Sequence, residues 1–268
     1  MKDVRRSHTR HRSRTHDKPG VVRNDKLPVV SVIIPALNER RTIAAVIREA
    51  ARVHPRTEII VVTNGSTDGT DRIASRLGAT VIHSDQPLGH DVGRYVGAQR
   101  ARGKVLLFID GDMVISSSKL VPFIKAVLSG VDIALNDYDG PVHRIPVHRV
   151  ILSKHALNVM LRRADLKGAS LTTVPHAMSR RALEEIGAES LSVPPLAQTI
   201  GASKGLKMKS VHSIPVGKLN PRRVKRHTVD PLEAMITGDH LEAINWLLIQ
   251  KGPRGGYSDL HRKREKVR

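Results

Sequence analysis

The chain of 268 residues contains no cysteine and only six aromatic residues: one Trp, three Tyr and two Phe. Without thiols there is no disulfide scaffold, no thiolate metal centre and no cysteine nucleophile, and a reducing compartment is expected. So few rings argue against a reader that stacks bases on aromatic platforms, so nucleic acid is not an expected partner. No apolar run approaches the roughly 18–20 residues that span a bilayer. The charged N-terminus is not followed by the apolar stretch of a secretory leader. Neither G-x-G-x-x-G nor G-x-x-x-x-G-K-[ST] occurs, which argues against a dinucleotide-binding dehydrogenase and a P-loop NTPase. Acid is scarce as well. Against 45 Lys and Arg stand 25 Asp and Glu, a net charge of +20. The expectation is a soluble cytoplasmic protein with a strongly basic surface.

Apolar residues make up 40% of the chain, enough for one large core. The charge is concentrated at the ends. Residues 1–26 carry nine Lys or Arg against three Asp, and residues 251–268 carry seven against two acids. Both ends are expected as basic disordered tails flanking a single domain over 27–250. Such tails suit peripheral contact with an anionic membrane, at the inner face for a cytoplasmic protein.

Between the tails, short β-branched runs alternate with helical periods. Val29–Ile34, Ile59–Val62, Thr80–Ile82, Val105–Ile109 and Val131–Leu135 predict buried strands. Residues 41–53, 68–77, 92–102 and 120–128 predict the helices between them. This alternation predicts an α/β fold, a mostly parallel central sheet flanked by helices. Beyond residue 136 prolines interrupt the pattern, and two long helices stand out at 147–163 and 231–250. The first mixes Arg149, Lys154, Arg162 and Arg163 with Val150, Ile151, Val159 and Met160. It reads as a core-packing helix, with a seat on anionic lipid as the alternative.

In such sheets ligands bind beyond the carboxyl ends of the strands. The first strand leads into Pro35-Ala36-Leu37-Asn38-Glu39, and the second into Thr63-Asn64-Gly65-Ser66-Thr67-Asp68-Gly69-Thr70. The Val105–Ile109 strand leads into Asp110-Gly111-Asp112. Two carboxylates spaced two apart around a glycine can turn towards one hard cation. Each piece alone is weak. In this order, with Gly93-Arg94-Tyr95-Val96-Gly97-Ala98 between the last two, they resemble the family 2 glycosyltransferases over about 29–135.

The resemblance implies a GT-A (Rossmann-like) fold, with a nucleotide-sugar half over 27–135 and an acceptor half over 136–250. It further implies transfer of a sugar from a nucleotide-diphosphate donor with Mn²⁺ or Mg²⁺. Pro35, Asn38, Glu39, Thr63 and Asn64 would then bind the nucleoside, Arg94 and Asp110 the sugar diphosphate, and Asp110 and Asp112 the metal. Two departures stand out. Thr63 occupies a place where the family has an Asp that reads the base. The acidic catalytic base that inverting members carry before their G-x-K/R strand has no counterpart either, since no Asp or Glu occurs between Glu189 and Asp230.

Asp239, in Gly238-Asp239-His240 on the last long helix, is the candidate base for a hydroxyl acceptor. His240 beside it is an alternative metal ligand, with His176 and His212 as rivals for these roles, each read first as structural. An anionic or lipid-linked phosphate acceptor needs no base, and the cluster Lys218, Asn220, Arg222, Arg223, Lys225 and Arg226 suits such a group. Retaining transfer to a phosphorylated acceptor is a further reading. Arg254, among the glycines 252–256, is a candidate lid over the site, with an ordinary linker to the basic tail as the alternative. The non-enzymatic alternative is a degenerate member that binds nucleotide or anionic polymer.

Overall fold

The computed structural model describes residues 21–143, 145–219, 231–263 and 266. The basic N-terminal arm as far as residue 20, and the basic cluster from Asn220 to Arg226, lie outside the described residues. Five expected strands form where the β-branched runs lie: β1 (Val30–Ala36), β2 (Thr57–Asn64), β3 (Thr80–Ser84), β4 (Val105–Phe108) and β5 (Ile133–Asn136). Helices α1 (Ile43–Ala50), α2 (Thr70–Arg76), α3 (Val92–Arg100) and α4 (Ser117–Leu128) connect them. Then follow α5 (Arg149–Met160), β6 (His176–Ser179), α6 (Arg180–Ile186), α7 (Pro194–Ser203), β7 (Met208–His212), α8 (Val216–Leu219) and α9 (Pro231–Lys251).

The seven strands make one sheet in the order β3-β2-β1-β4-β6-β5-β7. Six run parallel; β6 alone is reversed, antiparallel to β4 and β5. The proposed nucleotide-sugar and acceptor halves therefore share one continuous sheet. Strand alternation divides the core in two. Val30, Val32 and Ile34 pack with Ile43, Ile47, Leu120 and Phe123 on one face. Ile33, Ile60, Leu106 and Phe108 pack with Ala98, Leu183, Ile186 and Ala197 on the other. Each such fully buried aliphatic side chain contributes about 1.5–3 kcal/mol by leaving water. Runs with no polar alternation are what a sheet covered on both faces demands.

One buried carboxylate ties the back of the sheet together. Glu58 in β2 accepts from Ser31 Oγ at 2.6 Å, from the Arg102 backbone N–H at 2.6 Å and from the Arg102 guanidinium at 2.8 and 3.0 Å. At the carboxyl end, α3 lies against β1 because Gly93 and Gly97 face it. A Cβ on Gly93 would stand 3.1 Å from Pro35 Cβ, and one on Gly97 would run into Ile33. That close approach sets Arg94, the residue between them, at the rim of the sheet.

The rim is also where residues 137–175 leave and return, since β5 ends there and reversed β6 begins there. Asn136, fully buried, holds the junction. Its amide nitrogen donates to the carbonyls of Val174 at 3.1 Å and Ile214 at 3.0 Å, and its oxygen accepts from the Ile214 N–H at 2.9 Å. Within this excursion α5 buries Ile151 and Leu157 while Leu152, Val159 and Met160 stay exposed. It packs against α9. The core-packing reading of this helix thus holds for one side only.

The lid reading of Arg254 is corrected. Its guanidinium donates to the carbonyls of Tyr257 at 3.1 Å and Ser258 at 2.6 Å, closing a local turn. Tyr257 Oη donates to the Val159 carbonyl at 2.7 Å, and Arg162 lies over the Tyr257 ring, 5.0 Å from its centroid. Residues 252–258 are thereby tied to the end of α5 and line no part of the cavity at the sheet rim. The Arg254 guanidinium is thus engaged within its own turn. Among the described residues no helix is long and apolar enough to cross a membrane.

Candidate active site

The loops after β1, β2 and β4 are stitched to one another by their own polar side chains. Asn38, at a left-handed φ of 58°, accepts from the Thr67 N–H at 2.9 Å and its backbone N–H donates to Ser66 Oγ at 3.1 Å. Asp68 accepts from the N–H groups of Arg40 and Thr70, both at 3.0 Å, the latter the first residue of α2. Thr42 Oγ1 donates to the Gly111 carbonyl at 2.7 Å, and the Gly111 N–H donates to the Pro35 carbonyl at 3.1 Å. This stitching fixes the Asp-Gly-Asp turn against β1; a Cβ on Gly111 would meet Ala36 Cβ at 3.0 Å.

The loops enclose a cavity of about 330 Å³. Pro35, Glu39, Asn64, Arg94, Asp110 and Asp112 line it, as the sequence led us to expect of a common site. Asn38 and Thr63 do not. Asn38 is consumed in the loop clamp just described. Thr63 is fully buried, and its hydroxyl meets His83 Nδ1 at 3.1 Å and the Ile82 carbonyl at 3.4 Å. Asn64 serves the wall itself: its amide donates to the Gly89 carbonyl at 2.9 Å and accepts from the Leu88 N–H.

Arg94 is buried, contrary to an exposed helix arginine. It pairs with Asp91, one helical turn back, and with Asp110 Oδ1 at 3.4 Å. A guanidinium does not give up its proton in such a setting. Burial pushes the Asp91 carboxyl above the ordinary range, Arg94 and His90 oppose this, and Asp110 adds to it. Asp110 keeps 33% of its side-chain surface open and therefore faces the cavity. The loop carrying His90 and Asp91, with Asp91 at φ 62°, went unremarked in the sequence. Its position after the third strand was the available signal.

Asp239 and His240 lie on α9. The Asp239 carboxyl is raised to about 6, by burial first and then by the negative charges of Asp91 and Glu242, against the pull of His90. Asp239 is thus within electrostatic reach of the Asp91 wall of the cavity. His240 is buried; its Nδ1 donates to the Ile236 carbonyl at 2.7 Å, and burial with Lys154 nearby lowers it to about 4. His176 stacks on Phe108 at 5.0 Å, and its Nδ1–H donates to the Thr173 carbonyl at 3.1 Å. His212 meets the Phe123 ring edge-on at 6.4 Å. His176 is a packed core residue and His212 is half-buried against the core.

Among the described residues no three His, Asp or Glu side chains are grouped to hold a metal. Asp110 and Asp112 fit a hard cation that draws its remaining oxygens from a bound diphosphate, the usual arrangement for Mg²⁺ at phosphate sites. His240 is not grouped with them, which leaves the alternative of a His ligand without support.

A second, larger cavity of about 630 Å³ opens between α5, α9 and the segment 138–147. Its lining is mainly apolar, including Val147, Val150, Ile151 and Ile236, with Lys154 among it.

Comparison with known proteins agrees with this geometry. The model of glycosyl transferase family 2 matches residues 31–187. The glycosyltransferase AglE of Haloferax volcanii is 35% identical over 94 residues, 32% of this chain and 31% of that protein. The polyprenol monophosphomannose synthase of Mycolicibacterium smegmatis is 30% identical over 137 residues, 47% of this chain and 52% of that one. These alignments span about a third to a half of the length of the curated relatives. Glucosyl-3-phosphoglycerate synthase of Mycobacterium tuberculosis, crystallised with Mn²⁺, UDP and glucosyl-3-phosphoglycerate, superposes with a TM-score of 0.58 at 24% identity. That superposition covers 87% of this chain and 82% of that chain, and it shows a shared GT-A fold. The chain belongs to glycosyl transferase family 2.

Proposed function

We propose that this protein is a metal-dependent glycosyltransferase that moves a sugar from a nucleotide-diphosphate donor to an acceptor entering from the α5–α9 side. The observation that carries this is the set of two carboxylates, Asp110 and Asp112, fixed on a stitched turn at the carboxyl end of a parallel sheet, with the buried Arg94 beside them. Solved relatives of this fold bind UDP with Mn²⁺ or Mg²⁺, and the same donor class fits the cavity here.

A divalent cation bound at Asp110 and Asp112 would neutralise the diphosphate and stabilise its departure. Arg94, pre-paid in position by Asp91 and by the close seat of α3, adds a fixed positive charge where that group develops negative charge. Pro35, Glu39 and Asn64 form the wall beside it for the nucleoside. Asn38 acts one step back by holding the loops in register.

For a hydroxyl acceptor, Asp239 is the base. Its raised carboxyl is poised to take a proton near pH 6 and above, the condition a general base requires. The proton passes from the attacking hydroxyl to Asp239 as the oxygen bonds to the anomeric carbon and the bond to the diphosphate breaks.

The test is a melting-temperature panel of UDP, GDP, CDP and dTDP sugars with and without Mn²⁺. A ligand that binds only the native state raises the melting temperature. One nucleotide should give a Mn²⁺-dependent rise that Asp110→Asn and Asp112→Asn each abolish. No rise with any nucleotide would favour the degenerate-binder alternative.

A further inference from the structure

The larger cavity differs from the nucleotide cavity in one chemical respect. Its wall is mainly apolar, yet it contains an ammonium group that makes no ion pair among the described residues. Lys154 projects from α5 among Val147, Val150, Ile151 and Ile236. Its Nζ donates to Thr173 Oγ1 at 2.6 Å, and among the described residues it makes no ion pair. Of the two acids that line the cavity, Glu233 lies 3.4 Å from His148 Nε2 and 4.0 Å from Arg149 Nε, and Asp139 accepts from the Gly168 N–H at 3.1 Å. A charge taken out of water is costly unless it is paired, and an ammonium has three donors of which one is used. The group is therefore suited to hold an anion.

Position sharpens this. Lys154 feels the charge of Arg94, as His176 does, so the ammonium is within electrostatic reach of the donor-site guanidinium. His240, on the neighbouring helix, also feels Lys154, and its buried Nε2 has no hydrogen-bond partner.

We propose that Lys154 and Thr173 anchor the acid group of an amphiphilic acceptor, a carboxylate or phosphate on an aliphatic body that fills the cavity between α5 and α9. This rests on the glycosyltransferase reading for the word acceptor; the binding site itself does not. Apolar atoms leave water against Val147, Val150, Ile151 and Ile236, and the acid supplies the missing counter-charge beside Arg94. A small polar anion would leave the aliphatic wall wet, and a neutral amphiphile would leave the ammonium unpaired.

The experiment measures binding by calorimetry to the full chain at pH 7. The probes are dodecyl phosphate and dodecanoate below their micellar concentrations, dodecanol, and inorganic phosphate. Both acids should bind, and dodecanol and inorganic phosphate should bind at least tenfold more weakly. Lys154→Met should weaken the two acids roughly tenfold or more, the loss of a charge-assisted hydrogen bond, while Lys154→Arg restores most of it. Ile236→Trp, which fills the aliphatic part, should weaken dodecyl phosphate and leave inorganic phosphate unchanged. Melting curves of each variant establish that it is folded.

Dodecanol binding as tightly as the acids, or an unchanged Lys154→Met, overturns the anchor. Inorganic phosphate binding as tightly as dodecyl phosphate overturns the amphiphile in favour of a small phosphorylated ligand. The Mn²⁺-dependent nucleotide shift is read in the same samples. Amphiphile binding lost with that shift intact refutes this inference alone, and the shift lost with amphiphile binding intact refutes the donor reading alone.

Discussion

Replacing Lys154 by methionine shortens the unbranched side chain by one atom and removes its charge, and the protein should become more stable. Burial, with the Arg94 charge adding to it, lowers the Lys154 ammonium from 10.5 to about 8. That drop corresponds to about 3 kcal/mol disfavouring the charged form in the folded state. Water reaching the stem through the cavity reduces this, and the lost bond to Thr173 removes about 1 kcal/mol of favourable energy. The net gain for Lys154→Met at pH 7 is about 1 kcal/mol, or a rise of roughly 2–4 °C in melting temperature for a chain of this size.

The pH dependence gives the sharper signature. The folded-state value lies below the unfolded one, so between about pH 8 and 10.5 the unfolded chain binds more protons. Wild-type stability therefore rises relative to the variant through that window. The gap between them is full below pH 8 and closes by pH 10.5. Scanning calorimetry of both proteins at pH 7, 9 and 10.5 measures it. A variant less stable than wild type at pH 7, or a gap independent of pH, would refute the account of an unpaired ammonium.

The remaining expectations concern the site and the sheet. Asp110→Asn and Asp112→Asn should leave the melting temperature of the free protein within about 2 °C of wild type, since both side chains lie at a cavity wall. They should nevertheless remove Mn²⁺-dependent nucleotide binding, checked by titration calorimetry. Transfer to a hydroxyl acceptor should rise with pH through about 6, where Asp239 loses its proton. Asp239→Asn should flatten that limb and lower kcat with donor KM unchanged, read from a pH–rate profile. Glu58→Ala strands Ser31 and the Arg102 groups it binds, and should cost about 3 kcal/mol in urea unfolding without changing nucleotide affinity.

Which features could be read from the chain follows from the range of the interactions that create them. The strands of β1, β2 and β4 are continuous β-branched runs buried on both faces, so local composition and burial agree. The Asp110-Gly111-Asp112 turn was visible because a strand end, a glycine and two acids are contiguous. β6 was not visible as a strand: His176-Ala177-Met178-Ser179 has no β-branched residue, and it is extended only because β4 and β5 flank it. Thr63 and Asn38 sat in the expected loops, yet their side chains turn to His83 and Thr67, partners that no spacing reveals. Arg94 could be named but not its burial, which depends on Gly93 and Gly97 seating α3 against β1. Lys154 read as one basic residue on a mixed helix. That it makes no ion pair among the described residues is a property of what α9 and the 168–175 segment bring to it.

The single reversed strand gives the molecule a replaceable part. Because β5 ends and β6 begins on the same rim, residues 137–175 form an excursion whose two feet are joined by one amide, Asn136, and which is anchored in the core by Leu166, Ala169, Leu171, Val174 and the buried parts of α5. Lengthening or exchanging such an excursion changes closure entropy only logarithmically, by about 0.6 kcal/mol per doubling. The donor loops, which belong to β1, β2 and β4, take no part in the exchange. A lineage can in this way test new acceptors one cassette at a time while its nucleotide chemistry stands still. A chimera carrying a foreign 137–175 segment between an unchanged Asn136 and His176 should keep its Mn²⁺-dependent nucleotide shift, and losing it would show that the cassette and the donor site are not separable.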